Sequence, residues 1–384
     1  MSLDLIRNLH SRCCLSYQYE SVFAHASFQF CGHVDEYLIK NTKYLTLLRL
    51  QTRFGRGGHK LERYEDGVLK ETRNLRSSHN IFLYYFLCSW HHNIELRRHI
   101  QCFRRMTVVL FTHPVGCFGY ALQRLLGNVK YAFWPWDWFP PVRIPLKIYA
   151  AVVRHYIKRV DLPFALTEAI SEKIGENVPV AMLGMKRMSC ADVDRTGSKR
   201  ILVVGQLRHG QGVENVLEFI ANNPQYSLTL LGTAANGFER EINQIIKDRN
   251  IQERVEFPNR FVSEEELCEA AAKCFCGLAL YDTAEDNFTH YADPGKIKSY
   301  LEMGLPVVMT RISGIVPYVE RFKAGVVIDS LSELPAAVSE ISRLYAEYNR
   351  GARDFAAYFE YEDYYKEKFR SMEYGNLMAP CKDM

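Results

Sequence analysis

Residues 291–310 read YADPGKIKSYLEMGLPVVMT, and this stretch decides how the rest of the chain is interpreted. The Asp-Pro-Gly turn at 293–295 suits the start of a helix. The next residues have the apolar spacing of a short amphipathic helix, and a glycine suits its end. The apolar, β-branched run 305–310 then predicts a buried strand. Lys296, in the first turn, would present a positive charge beside backbone N–H groups, an arrangement that suits a diphosphate.

The composition narrows the class of protein. A chain of 384 residues predicts two domains of ordinary size. Its 48% hydrophobic and 24% charged residues are typical of a soluble globular protein, and a net charge of +4 does not indicate a nucleic-acid partner. Eleven cysteines without C-x-x-C spacing predict buried thiols in a reducing compartment. Without a signal peptide or an apolar run that spans a bilayer, we expect a cytoplasmic protein.

Strand patterns alternate with helical patterns, which predicts doubly wound parallel sheets. The expected strands lie at 24–31, 44–50, 106–112, 129–133, 162–166, 200–204, 227–231, 255–257, 276–281, 305–310 and 324–328, and the segment 178–183 closes the first half. Asp66 and Gly67 predict the turn of a hairpin. The expected units are a first domain at 1–186, a linker at 187–199, a second domain at 200–350, and a C-terminal helix and tail at 351–384 that pack back on the first domain.

The segment DPGKIKSYLEMGLPVV resembles the donor-site segment of two-domain glycosyltransferases of the GT-B fold, especially family 4. The resemblance covers the second half well and the first half loosely. It implies two Rossmann-like domains facing a cleft, with the donor in the second domain and the acceptor in the first. It also implies a nucleotide-sugar co-substrate, no bound metal or other cofactor, and a lipid-linked glycan acceptor in cell-surface polysaccharide or glycolipid synthesis.

The chain departs from that family at four signature positions. The family's loop G-R-L-x-x-x-K-G reads GQLRHGQG here, so that Gln206 and Gln211 replace two cations. Arg208 and His209 either substitute for them or form an ordinary exposed pair. Tyr291 and Ser299 stand where the family has glutamates, so a retaining mechanism cannot be carried over.

The donor site is predicted from the resemblance and from the ends of strands. Glu285, Asp286 or Asp293 could supply a carboxylate to sugar hydroxyls, and the loop 259–261 occupies the position that cradles the base. The predicted donor-binding residues are Gly205, Gln206, Arg208, Gln211, Gly232, Arg260, Phe261, Glu285, Asp293, Lys296, Ile297 and Ser299.

The first half offers candidates for the base that deprotonates an acceptor hydroxyl. Asp137 lies among tryptophans, and apolar neighbours raise the pKa of a carboxyl. His113 follows a predicted strand and is the second candidate. His33 is a third, placed with the acceptor-binding residues. Trp134, Trp136 and Trp138 either stack on sugars or belong to the core.

Two helices carry patterns that support weaker hypotheses. His92, Glu95 and His99 share one face of a helix, which we interpret as an ordinary helix surface rather than a metal site. The helix at 143–159 alternates cations with apolar residues, and either rests on an anionic membrane, at the inner face of the cell membrane, or is structural. Two functions compete with catalysis of transfer: a non-catalytic glycan- or partner-binding subunit, and a nucleotide-sugar epimerase.

Overall fold

The computed structural model describes residues 21–27, 32–50, 58–102, 107–114, 129–175, 178–235, 237–282, 288–312 and 314–375. The chain divides into two compact units. The first unit combines Met1–Gly184 with Tyr361–Met384, and the second is Met185–Glu360.

The first unit is built on a seven-stranded sheet in the order β4-β3-β2-β1-β5-β6-β7. Its strands are β1 Ser21–Ser27, β2 Tyr44–Leu50, β3 His59–Glu65, β4 Val68–Leu75, β5 Thr107–Phe111, β6 Val129–Phe133 and β7 Leu162–Pro163. All pairs are parallel except those of β3, which runs antiparallel to β2 and β4. The predicted hairpin is confirmed, with Asp66 and Gly67 at positive φ in its turn. The hairpin adds an antiparallel edge to the parallel sheet.

Among the described residues of the first unit, four helices and the C-terminal helix accompany the sheet. They are α1 Val34–Asn41, α2 Ile81–Cys102, α3 Ile144–Ile157, α4 Glu168–Ile174 and the C-terminal helix Tyr361–Gly375. The hydroxyl of Tyr365 holds the C-terminal helix in place, since it donates to the Gly32 carbonyl and accepts from the Gly184 N–H, both at 2.6 Å. The segment 178–183 joins this unit through a parallel bridge between Ala165 and Val180.

The prediction of an ordinary surface for the face of α2 that carries His92, Glu95 and His99 is wrong, because all three side chains are buried. The imidazole of His99 lies 2.5 Å from the Ser21 hydroxyl and 2.7 Å from the Thr46 hydroxyl. The sheet therefore supplies polar partners to a helix face whose own pattern resembles a solvated surface. Glu95 finds its partners among arginines, as considered in the Discussion.

Burial of these histidines predicts a loss of stability in acid. It lowers the pKa of His92 and of His99 to about 3, from an ordinary value of 6.5. Between those two pH values the unfolded chain binds more protons than the folded one, so the free energy of unfolding falls as the pH falls. We expect a slope of about 1.4 kcal/mol per pH unit for each histidine. Urea denaturation at about pH 7 and about pH 5 measures it.

His99→Asn provides the test of assignment. The variant should be less stable near neutral pH but should show a flatter dependence on pH than the wild type. The exposed His155→Asn change is the matched control and should alter neither property. An unchanged pH slope in His99→Asn would contradict the assignment.

The second unit has a six-stranded parallel sheet in the order β10-β9-β8-β11-β12-β13. The strands are β8 Arg200–Val204, β9 Ser227–Leu231, β10 Val255–Glu256, β11 Cys276–Ala279, β12 Val307–Thr310 and β13 Gly325–Ile328. The helices are α5 Val213–Asn222, α6 Phe238–Asp248, α7 Glu264–Ala271, α8 Gly295–Glu302, α9 Val316–Phe322, α10 Leu334–Arg343 and α11 Tyr345–Tyr358. The strand order reverses between β8 and β11, and ligands of such sheets bind beyond the carboxyl ends of strands at such a point.

The structure places the unit boundaries elsewhere than the sequence pattern does. The segment 187–199, expected to be a polar linker, belongs to the second unit. Within it the buried guanidinium of Arg195 donates to the carbonyls of Ala271, at 2.9 Å, and Met303, at 3.0 Å. The second unit also continues past 350 because α11 runs on to Tyr358.

Candidate functional site

Two glycines lie where β8 and β9 end, at the reversal of strand order. Gly205 has φ +121° and Gly232 has φ +132°, a backbone region that L side chains rarely adopt. A Cβ on Gly232 would lie 1.8 Å from the Gly205 carbonyl oxygen, and a Cβ on Gly205 would lie 3.4 Å from Cε of Lys296. The two glycines therefore allow the strand ends, and the lysine beside them, to approach closely.

Gly232→Ala is expected to be severely destabilising, by more than about 3 kcal/mol, because positive φ and a backbone clash add together. Gly237→Ala is the matched control: φ there is +82°, but nothing lies within 4 Å of the added Cβ. That variant should cost only about 1 kcal/mol. Thermal or urea denaturation compares the two, and equal losses would show that the close approach to Gly205 has no effect.

Lys296 is the second residue of α8 and is half-buried. Its ammonium nitrogen lies 5.4 Å from the centre of the Tyr281 ring. Burial, together with the nearby charge of Arg208, lowers the pKa of Lys296 to about 8. Over the part of the chain that the structure describes, no carboxylate forms an ion pair with this lysine. An anion at the start of α8 would therefore relieve the cost of burying the charge.

The loop between Gly205 and Gly212 holds a second cation beside Lys296. The Gln211 amide oxygen accepts from Arg208 Nε at 2.9 Å and from a terminal guanidinium nitrogen at 3.2 Å. Its nitrogen donates to the Gln206 carbonyl at 2.7 Å, an orientation assigned from these contacts. Where the resembling family has a lysine, this chain thus has a glutamine that holds an arginine. His209 instead pairs with Glu214 at 2.8 Å, which raises its pKa.

A cavity of about 520 Å³ opens beside this loop. Gly205, Gln206, Gly232 and Phe261 line it, so the structure brings these four predicted donor residues together. The Phe261 side chain is 85% exposed and could cover a flat ring at the rim of the cavity. Arg260 does not line the cavity and pairs with Glu266 instead. The two carboxylate oxygens of Glu266 lie 2.5 and 3.0 Å from the guanidinium of Arg260.

Two predicted donor residues on or near α8, Asp293 and Ile297, have structural contacts instead. Asp293 is buried and accepts from Lys298 Nζ at 2.6 Å, which the sequence analysis did not anticipate. Its predicted contact with sugar hydroxyls is therefore corrected: the buried ion pair ties the turn to the helix. The Ile297 side chain is fully buried, and its N–H donates to the Pro294 carbonyl at 3.1 Å. Ser299 is half-buried. Glu285 and Asp286 lie outside the described residues.

In the first unit, His113 and Asp137 follow neighbouring strands, β5 and β6, and meet around Tyr149. The Tyr149 hydroxyl donates to the Asp137 carbonyl at 2.8 Å, and its ring centre lies 6.1 Å from that of His113. Burial lowers the pKa of His113 to about 4, which makes its neutral imidazole a weak base. Asp137 is exposed, and desolvation by its neighbours raises the pKa of its carboxyl. Tyr149 was missed because a helical tyrosine gives no motif.

Two of the three tryptophans belong to the core. Trp134 is fully buried and its indole N–H donates to the Ala181 carbonyl at 2.9 Å, while Trp138 is 2% exposed with Arg154 over its ring. Stacking of these two on a sugar is therefore corrected. Trp136 is half-buried. His33 lies at the start of α1, where its Nδ1 is 2.9 Å from a carboxylate oxygen of Glu36.

Two further observations concern the whole described chain. Nowhere in the described ranges do three or more histidine, cysteine, aspartate or glutamate side chains gather as a metal site would require. No helix within the same ranges is long and apolar enough to cross a membrane.

Residues 223–371 match the family model of the glucosyltransferase 3-like C-terminal domain. No curated protein sequence matches the chain.

Solved structures are similar over nearly the whole chain. Sucrose-phosphate synthase from Thermosynechococcus elongatus is 12% identical, with a TM-score of 0.65 over 93% of this chain and 99% of that one. Anabaena HepE in complex with UDP is 13% identical, with a TM-score of 0.66 over 92% and 100%. The lipopolysaccharide outer core galactosyltransferase WaaB is 13% identical, with a TM-score of 0.62 over 92% and 99%. The chain thus has the GT-B fold, and the resemblance to GT-B glycosyltransferases seen in residues 291–310 is confirmed.

Proposed function

We propose that this protein transfers a sugar from a nucleoside diphosphate donor to a glycan acceptor. The observation that carries the proposal is the pair of cations, Lys296 and Arg208, beside the glycine-lined ends of β8 and β9. A leaving diphosphate needs positive charge that is already in place when the sugar bond breaks. Because the similar HepE structure holds UDP, uridine is the first base to test.

In this proposal the second unit binds the donor. The diphosphate lies at the start of α8, where Lys296 and the first backbone N–H groups receive it, and Arg208 neutralises its other side. The base occupies the cavity rimmed by Phe261. No metal takes part in these steps, since the two side chains and the helix supply the positive charge.

The first unit binds the acceptor. Asp137, exposed beside Tyr149, takes the proton of the attacking hydroxyl if the reaction inverts, and His113 is the second candidate. We propose a lipid-linked acceptor because the start of α3 exposes Ile144 and Ile148 among cations, which suits the inner face of the cell membrane. The product would be a cell-surface polysaccharide or glycolipid.

The first experiment compares UDP, GDP and their sugar conjugates by thermal shift, and then measures UDP release with glycolipid acceptors. A ligand that binds only the folded protein raises the melting temperature. A shift with one nucleotide, together with turnover that requires an acceptor, supports the proposal. Absence of any shift would overturn it.

Arg208→Ala tests the relocated cation and should weaken UDP binding roughly tenfold or more. Adding Gln211→Lys to that variant restores a cation where the resembling family has one, and should recover most of the loss. Arg240→Ala, elsewhere on the same unit, is the matched control. If Arg208→Ala binds UDP like the wild type, the arginine does not contact the diphosphate.

A non-catalytic subunit is the competing function, because Gln206, Gln211, Tyr291 and Ser299 all replace signature residues. A non-catalytic subunit would bind a nucleotide or a glycan without turnover. An epimerase would instead consume the donor without any acceptor. The same two assays therefore separate the three functions.

A further inference from the structure

The first half of α2 has an unusual surface. Its opening residues, 81–90, read IFLYYFLCSW and contain no charged side chain. Leu87 and Cys88 face the interior. On the outside, Phe82, Phe86 and Trp90 are 83, 58 and 52% exposed. The spacing of four places these three on one side of the helix, and the rings of Phe86 and Trp90 stack at 5.8 Å.

Large exposed apolar side chains are concentrated in the first unit. A helix that is apolar all round is normally covered on every side, and a contiguous exposed patch marks an interaction surface. We define the aromatic row as Phe82, Phe86 and Trp90. Exposed apolar neighbours in sequence are Ile81, Leu83 and Tyr85.

The stretch of sequence that contains the aromatic row carries charges of one sign. No acidic residue occurs between Glu71 and Glu95, whereas Arg76 is exposed just before the helix. The start of α3 has the same character, since no acidic residue occurs between Asp137 and Asp161. Aromatic side chains beside cations suit the headgroup region of an anionic bilayer.

The topology brings the two helix starts to one side of the unit. β4 runs in the same direction as β2, so α2, which follows β4, begins at the carboxyl edge of the sheet. α3 follows β6 and begins at that edge too. Both connections cross the sheet in the same direction, and right-handed crossovers therefore place both helices on the same face. Asp137 and His113 follow strands that end at this same edge.

We propose that the aromatic row is a second membrane contact, which inserts into the headgroup region of an anionic bilayer. Together with the start of α3 it would hold the carboxyl edge of the first sheet, and so Asp137, against the lipid surface. The inference rests on the proposed function only for the nature of the acceptor, because the surface itself is independent of donor chemistry.

Vesicle sedimentation of the full chain tests the contact. The wild type should bind phosphatidylcholine vesicles that contain phosphatidylglycerol, more weakly at high salt and weakly to pure phosphatidylcholine. Phe82→Ser/Phe86→Ser/Trp90→Ser should reduce binding about tenfold or more, since the variant loses the three exposed apolar side chains that would insert into the bilayer. Val193→Ser/Leu331→Ser, two exposed apolar residues of the second unit, should have no effect.

A spectroscopic readout keeps the test independent of the triple variant's folding. Brominated lipid should quench the fluorescence of Trp90, and Trp90→Phe should bind vesicles like the wild type while losing most of that quenching. No vesicle binding, equal binding by the triple variant, or undiminished quenching in Trp90→Phe would each overturn the proposal. So would a dimer that the triple variant converts to a monomer, because a second copy would then cover the row. UDP binding, measured in parallel, tests the proposed function separately.

Discussion

Lys296→Met should nearly abolish sugar transfer and, at the same time, stabilise the protein. In the proposed mechanism the lysine supplies a charge that the diphosphate needs as it leaves, so kcat/KM should fall by about 10²–10³-fold. Its pKa of about 8, against an ordinary 10.5, means that near neutral pH the folded protein retains a charge in an unfavourable environment. Removing it should raise the free energy of unfolding by roughly 1–3 kcal/mol. UDP titration and urea denaturation measure the two effects.

The affinity for UDP should also depend on pH, in a direction that the pKa of Lys296 determines. Below about pH 8 Lys296 is charged and binds the diphosphate, and above it the amine is neutral, so the affinity for UDP should fall as the pH rises through that value. Lys296→Arg stays protonated and should keep its affinity at higher pH. Lys323→Met, an exposed lysine paired with Glu347, is the control and should change neither affinity nor its pH dependence. If Lys296→Met lowers stability and leaves UDP binding intact, the lysine is structural.

Parts of the proposed donor site in the second unit could be predicted from the sequence, because the local sequence pattern there is compatible with one kind of structure. An Asp-Pro-Gly turn, a short helix and a buried strand fix where Lys296 lies, and glycines at strand ends mark Gly205 and Gly232. The contact between Gln211 and Arg208, at the position where the family has a lysine, could not be predicted from the sequence. Gln211 reaches Arg208 through a loop conformation, and nothing in the spacing of the two residues distinguishes that contact from two solvated side chains.

Burial accounts for the wrong predictions about individual side chains. Asp293 resembles an exposed turn carboxylate until Lys298 is placed five residues later and both are buried as a pair. Trp134 resembles a residue of an aromatic loop, but the C-terminal helix packs on it, with the Tyr365 ring centre 6.1 Å away. The burial of both side chains depends on the packing of the folded chain, which the local sequence does not show. The polar face of α2, which carries His92, Glu95 and His99, is the third case.

Glu95 lies on the polar face of α2, and Glu95→Gln should lower the free energy of unfolding by about 3 kcal/mol. Its carboxylate is 2% exposed and lies 2.7 Å from Arg73, 2.6 Å from Arg98 and 3.5 Å from Arg63. Glu95 is the buried anion that all three guanidinium groups share, so its removal leaves them with less negative charge to offset their repulsion. Losing one member of a buried ion pair is strongly destabilising. Urea denaturation of the two proteins measures the loss.

Glu71→Gln is the matched control, because Glu71 also lies 2.7 Å from Arg63 but is 39% exposed. That change should cost less than about 1 kcal/mol, as exposed ion pairs contribute little. Adding Arg73→Gln to Glu95→Gln should recover part of the loss, since one of the repelling charges is removed. Equal losses in the two single variants would mean that Glu95 behaves as a surface carboxylate. Both carboxylates lie 2.7 Å from an arginine, so the expected difference follows from burial and from the third arginine: Glu95 is 2% exposed and contacts three arginines, whereas Glu71 is 39% exposed and contacts two.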